Sequence, residues 1–295
     1  MLLVILYFFA LEGLMWLLDI PFRNKIKQST SVEESLKARK RLKVFRRFWS
    51  VLLIIASCVL IIWIYVSNDA TNETINGSNA MGRDIGMFIA FSMISGYKRI
   101  VGNVQSFSKE KYLEKHGDGF ILYLRAFDTD YYTRDPRKIS FEMQLAKAVK
   151  KKSGKKMCAI GMTKEVDAPY GADRVYVGDE TWKEDVKELM EKASSVFILV
   201  SDRESCIWEI KQSAPILKNC CYIIKSKSEY ESVKDEATSL IPFPTFEKLA
   251  EEMGSEEAKR MESGESMIGL KFDKGKYDVL SVGNLKDFVY KALYG

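Results

Sequence analysis

Apolar residues crowd into the first hundred positions of this chain and afterwards thin out into short runs divided by charge. Three runs dominate the crowded part: Leu2 to Ile20, Trp49 to Val66, and Ile85 to Ile94. The first two approach the ~20 residues needed to cross a bilayer core. The third is about half that length and spans only if its flanks adapt, with Lys98 and Arg99 reaching back to the headgroups. A re-entrant or interfacial placement is the other reading of it. The pattern therefore predicts a transmembrane region over residues 1–104, with helices at about 2–20, 49–66 and 84–101. No charge precedes the first run and no small-x-small cleavage site follows it, so it reads as an uncleaved anchor.

Charge sets the expected orientation. Residues 21–48 carry ten Lys and Arg against Glu33 and Glu34, and basic residues close to spans resist translocation. That segment is expected as a cytosolic loop, 67–84 as an outside loop, and the remainder of the chain as cytosolic. The first 104 residues hold 13 Lys and Arg against 7 acids, leaving 32 against 33 of the chain's 45 and 40. The net positive charge is all on the apolar side, where it suits anionic lipid. The rest lacks the basic excess that a phosphate backbone requires, which argues against nucleic acid as a partner. Glu12 falls mid-way along the first run, where it either faces another helix or is protonated. Gly82, Gly86 and Ala90 recur every fourth residue, a spacing that lets helices approach closely and self-associate.

The five cysteines lie in or beside apolar runs, without a C-x-x-C pair, and His116 is the one histidine. No metal site is expected, and unpaired cysteines suit a reducing compartment. His116 reads as solvated, within a linker over 105–118.

Beyond the linker the pattern alternates between strand and helix. Phe120 to Phe127 reads as a buried strand. Ser140 caps a helix that Gly154 ends, and Met157 to Ile160 is a second strand, followed by a long loop from Gly161 to Glu180. Thr181 and Glu184 form a capping box. Ser195 to Val200 is a third strand, about Cys206 to Leu217 a helix, and Cys220 to Ile224 a fourth strand. This order predicts an α/β domain over 119–225 with a central parallel sheet covered by helices on both faces. In residues 226–295, which complete the domain, Phe246 to Met253 reads as helix, Gly254 to Ser266 as a polar loop, Met267 to Val282 as a hairpin, and Asn284 as the cap of a last helix.

Ligands of open parallel sheets bind beyond the carboxyl ends of the strands. That rule selects Arg125, Asp128 and Asp130 after the first strand, Gly161 after the second, and Ser201 to Glu209 after the third. The segments "LRAFDTD", "YGADRVYVGDETW", "SSVFILVS" and "SCIWEIKQSA" resemble a Toll/interleukin-1 receptor (TIR) domain of the bacterial kind. The resemblance covers roughly Gly119 to Lys225. It implies a flavodoxin-like fold, a domain facing the cytosol from a bacterial plasma membrane, and a glutamate on the third helix that assists cleavage of the nicotinamide–ribose bond of NAD. Glu209, beside Trp208 and after Ser205, matches that position, with Gln212 one turn further on. NAD is then a substrate, and no bound cofactor is implied. Glu209 has a plain reading as well, a solvated acid in the first turn of a helix. Trp208 either stacks on a ring or anchors the helix. Arg125 and Arg174 either clamp a diphosphate or pair with Asp128 or Asp179. Two other functions stay open: a TIR-like interaction module without catalysis, and a pore or sensor gated by the domain.

Overall fold

The computed structural model describes residues 2–69, 105–126, 140–166, 171–273 and 275–295. The chain divides into two compact units, 1–103 and 104–295.

In the first unit α1 (Leu2–Lys27) and α2 (Val32–Asp69) pack against each other. Residues 28–31 make the turn between them. Ser31 Oγ accepts from the Glu34 N–H at 3.3 Å while Glu34 Oε2 accepts from the Thr30 N–H at 3.3 Å, a reciprocal cap that starts α2. Asp19 is buried and takes a 2.7 Å ion pair from Arg46, and the rings of Phe22 and Phe45 stack at 5.1 Å. Ile26, Ala38 and Leu42 fill the contact.

This arrangement corrects the reading of residues 1–104. The basic stretch 21–48 is helical for most of its length, and the first two apolar runs are portions of helices that continue into charged sequence. Among the described residues no helix is long and apolar enough to cross a membrane. The expectation of a multi-pass integral membrane protein is overturned on that finding. The third apolar run, Asp128, Asp130 and the side chains of Glu12 and Cys58 lie outside the described residues. Leu14, Trp16, Leu17 and Leu18 of α1 and Val44, Phe48, Val51, Leu52, Ile55, Val59 and Ile62 of α2 are exposed.

The second unit is built on one sheet of eight strands in the order β1-β4-β3-β2-β5-β6-β7-β8. β1 (Ser106–Ser108), β2 (Phe120–Leu124), β3 (Lys156–Met162), β4 (Asp173–Val177), β5 (Ser195–Leu199) and β6 (Cys220–Ile224) pair in parallel, while β7 (Ile268–Asp273) and β8 (Lys276–Ser281) are added antiparallel. The sheet is thus mixed, not parallel throughout: the Met267–Val282 hairpin lies beside β6 and extends it.

Alternate residues of each central strand enter different cores. Phe120, Leu122 and Leu124 join Val196, Ile198 and the apolar stripes of α5 (Trp182–Lys192), α6 (Glu204–Gln212) and α7 (Lys227–Ala237). Ile121 and Tyr123 face the opposite way, with Ala159, Phe197, Leu145 and Val149 of α4 (Phe141–Ser153), and Phe288 and Val289 of α10 (Leu285–Tyr294). Local signals set the helix ends. Ser140 Oγ accepts from the Met143 N–H at 3.2 Å, Gly154 stops α4 in the left-handed region, and Asn284 accepts from the Lys286 N–H at 3.2 Å.

Four local expectations are corrected. Residues 105–118 are part of the fold: β1 pairs with β4, and α3 (Lys109–His116) buries Tyr112. His116 packs against Tyr112 at 4.6 Å, and burial lowers its pKa. The 161–180 loop contains β4. Thr181 makes no side-chain cap and donates instead to Asp185 at 2.9 Å. The polar stretch 254–266 contains α9 (Ser255–Glu262), which buries Ala258 and Met261 beside α8 (Phe246–Met253).

Candidate functional site

The strand order locates the site. From β2 the chain moves to β3 on one side and later returns to β5 on the other, so a topological switch point lies between β2 and β5. A crevice at the carboxyl ends of such a pair is the usual ligand position in this architecture. Here that end of the pair carries Arg125 and Ala126 after β2 and Val200 and Ser201 after β5, all buried, with α6 following.

Glu209 projects inward from α6. Its side chain is 2 % exposed, and Oε2 has no hydrogen-bond partner among the described residues. Burial pushes its carboxyl up to about 8, against the opposing charge of Arg125. The solvated first-turn acid expected from the spacing is therefore a desolvated one, since Cys206 and Ile210 on the same helix carry that face into the core.

Arg125 is itself buried, and its Nε donates to Glu142 Oε2 at 3.0 Å. The same oxygen accepts from Arg174 Nη2 at 3.0 Å, and Glu142 Oε1 accepts from the Ala172 N–H at 3.1 Å. Burial disfavours the charge of Arg174, but the carboxylates of Glu142 and Glu165 more than offset this and its pKa is raised. Arg174 is wholly buried and holds the sheet to α4, and Asp179 takes Thr163 and Lys164 instead. The loop comes this close because of Gly171. Its φ is +137°, and a Cβ there would lie 2.8 Å from backbone atoms of Glu142 and Met143. Glu142 was not selected from the sequence; an acid two residues after a helix cap is ordinary dipole chemistry, and its partners lie 17 and 32 residues away.

The remaining selected residues are distributed as follows. Gly161 is inside β3, opposite Tyr176, whose ring a Cβ there would meet at 2.7 Å; it makes room for packing. Ser201 is buried, and Arg203, not Ser201 or Asp202, is the N-cap of α6, without a side-chain cap. Trp208 is half-buried and meets Trp182 edge-on at 4.9 Å, with Lys183 Nζ 5.8 Å from its ring. Gln212 is the last residue of α6. The structure thus places Arg125, Ser201 and Glu209, all buried, toward the carboxyl ends of β2 and β5, with Trp208 next to Glu209 on α6.

Among the described residues no group of His, Cys, Asp and Glu is arranged to hold a metal ion. A concave surface lined by Glu252, Lys271, Asp278 and Lys291 lies at the β8 edge, and none of the selected residues lines it. Chemically, this end of the sheet holds one buried carboxyl, Glu209, which burial pushes up to about 8 against the charge of the buried Arg125.

Comparison with known proteins finds no family model, no curated protein and no solved structure that matches this chain, so nothing outside the chain identifies a TIR-like domain in it.

Proposed function

We propose that the 104–295 unit binds a nucleotide at the β2/β5 switch point and cleaves the nicotinamide–ribose bond of NAD, with self-association raising the activity, as suits a stress or defence effector. The observation that carries this reading is Glu209: a buried carboxyl whose Oε2 has no hydrogen-bond partner among the described residues, toward the end of the sheet where such folds take their ligand. Water replaces nicotinamide at the ribose carbon, giving ADP-ribose, free nicotinamide and a proton. The leaving group is already cationic in the substrate, so no general acid is required. A nearby carboxylate stabilises the oxocarbenium ion that develops, and a cationic substrate in turn favours the ionised form of Glu209. The exposed apolar stripe of α2 supports the self-association part, because continuous apolar patches of that kind mark interaction surfaces.

The test is to incubate full-length protein at high local density with NAD and measure free nicotinamide. Wild type is expected to release it, and Glu209→Gln to lose a factor of about a hundred or more in rate. Gln212→Ala is the control for a one-turn error; if it is the variant that loses turnover, the acid has been assigned to the wrong turn. The burial of Glu209 favours a second reading, a non-catalytic interaction module, since a reacting carboxylate must meet its substrate. No turnover by clustered wild type makes that the better description.

A further inference from the structure

We propose that the β1–α3 segment, residues 105–118, is an acid-released latch on the β4 edge, with His116 as its proton sensor. The proposal stands apart from the NAD reading.

Few contacts hold this segment, and His116 joins its two halves. β1 contributes three residue pairs with β4. Beside them the Arg174 N–H donates to the Gln105 carbonyl at 2.8 Å, and the Gln105 N–H donates to Asp173 Oδ1 at 3.4 Å. From α3, Lys109 pairs with Asp185 at 2.7 Å, and the wholly buried Tyr112 meets Phe120 edge-on at 5.2 Å. The His116 ring packs on Tyr112 at 4.6 Å and stands edge-on to Phe107 of β1 at 6.1 Å. A ring so placed rests on both the strand and the helix of the latch.

Its Nε2 is buried and has no hydrogen-bond partner among the described residues. Neutral imidazole tolerates this, because one of its nitrogens carries no hydrogen. Imidazolium does not: both nitrogens then donate, and a buried N–H without an acceptor is costly. The surrounding charges agree with the packing. Burial, and then Lys115 of the same helix, hold the His116 pKa below its ordinary 6.5; Asp173 of β4 opposes them, and Lys156 of β3 adds to them. Between that lowered value and 6.5 the released ring binds a proton that the docked ring lacks. Docking is therefore complete above 6.5 and weakens as pH falls through the window below it. Release uncovers the edge of Asp173–Val177, and an open strand edge is a template for another strand.

His116 is the one histidine of the chain, so its ring ¹H–¹⁵N signals in the full-length protein need no assignment. Their titration midpoint is expected below 6.5. Hydrogen exchange over the same pH range, compared between wild type and His116→Gln, cancels the other titrating groups. Relative to the variant, wild type should lose protection at the Arg174 amide and along α3 as pH falls, with no such difference in β5. A midpoint at or above 6.5 overturns the proposal, because the ring then finds an acceptor such as Asp173 and acid tightens the segment. A lowered midpoint without the loss of protection overturns it too, since the ring then titrates in place. If His116→Gln leaves the segment undocked at every pH, His116→Phe keeps an aromatic ring there and replaces it; an acid-dependent loss of protection that persists in His116→Phe removes His116 as the sensor.

Discussion

Removing the Glu209 carboxyl should change how the stability of the 104–295 unit depends on pH, and the sign of that change is diagnostic. Burial raises this carboxyl from its ordinary 4.5 to about 8 in the folded state. Between those values the folded chain holds a proton that the unfolded chain has released, so the free energy of unfolding falls as pH rises across the window. The contribution is fully present below 4.5 and gone above about 8. At about 1.4 kcal/mol per pH unit the whole step is on the order of 5 kcal/mol. Glu209→Gln keeps the shape and cannot ionise. It should match wild type below about pH 4 and exceed it in stability by several kcal/mol near pH 9. Taking the difference between the two proteins cancels every other titrating group, His116 included. Native-state hydrogen exchange of β2 and β5 amides is the suitable assay, because it follows the opening of this unit without interference from the α1–α2 hairpin. Parallel profiles for the two proteins refute the reasoning. A wild type that gains on the variant as pH rises would show Glu209 ionised and paired with Arg125.

Three further outcomes are expected. Glu142→Ala removes the buried carboxylate that Arg125 and Arg174 donate to and should cost about 3–5 kcal/mol of stability in the same exchange assay, far beyond the ~0.5 kcal/mol typical of a surface acid. Gly171→Ala combines a strained φ with a backbone clash and should slow or abolish folding, whereas Gly154→Ala, with open space around its Cβ position, should lose only about 1 kcal/mol; equal losses in a denaturation series would contradict this. Phe48→Glu and Ile55→Glu, both on the exposed stripe of α2, should lower the self-association of the full chain in sedimentation and, with it, any nicotinamide release. Unchanged sedimentation would remove the stripe from the mechanism.

Local chemistry made much of the second unit legible. Ser140, Gly154 and Asn284 mark helix ends through bonds to residues two to four positions away, and the runs Phe120–Leu124, Ser195–Leu199 and Cys220–Ile224 are apolar because both their faces are covered. Elements that depend on distant partners were not legible. β4 is five residues made a strand by pairing with β3, and α9 contributes only Ala258 and Met261 to the core. Ser106–Ser108 becomes a strand only because β4, some seventy residues later, offers it an edge.

The first unit shows the same division in another form. Hydropathy located the apolar runs of α1 and α2 but said nothing of where the helices end. Their extension through Lys27 and back from Val32 follows from the short capped turn and from packing between them, including the Asp19–Arg46 pair formed across 27 residues.

Sequence alone marked candidate side chains and the end of the sheet toward which they lie, but not Glu142, whose partners are far away in the chain. Tertiary structure decided their states. It removed Glu209 from water, gave Arg125 and Arg174 to Glu142, and set Gly161 to packing. Periodicity records which face of an element is buried, but a carboxyl's proton affinity depends on the solvent and charges around it, and those are supplied by segments far away in the chain.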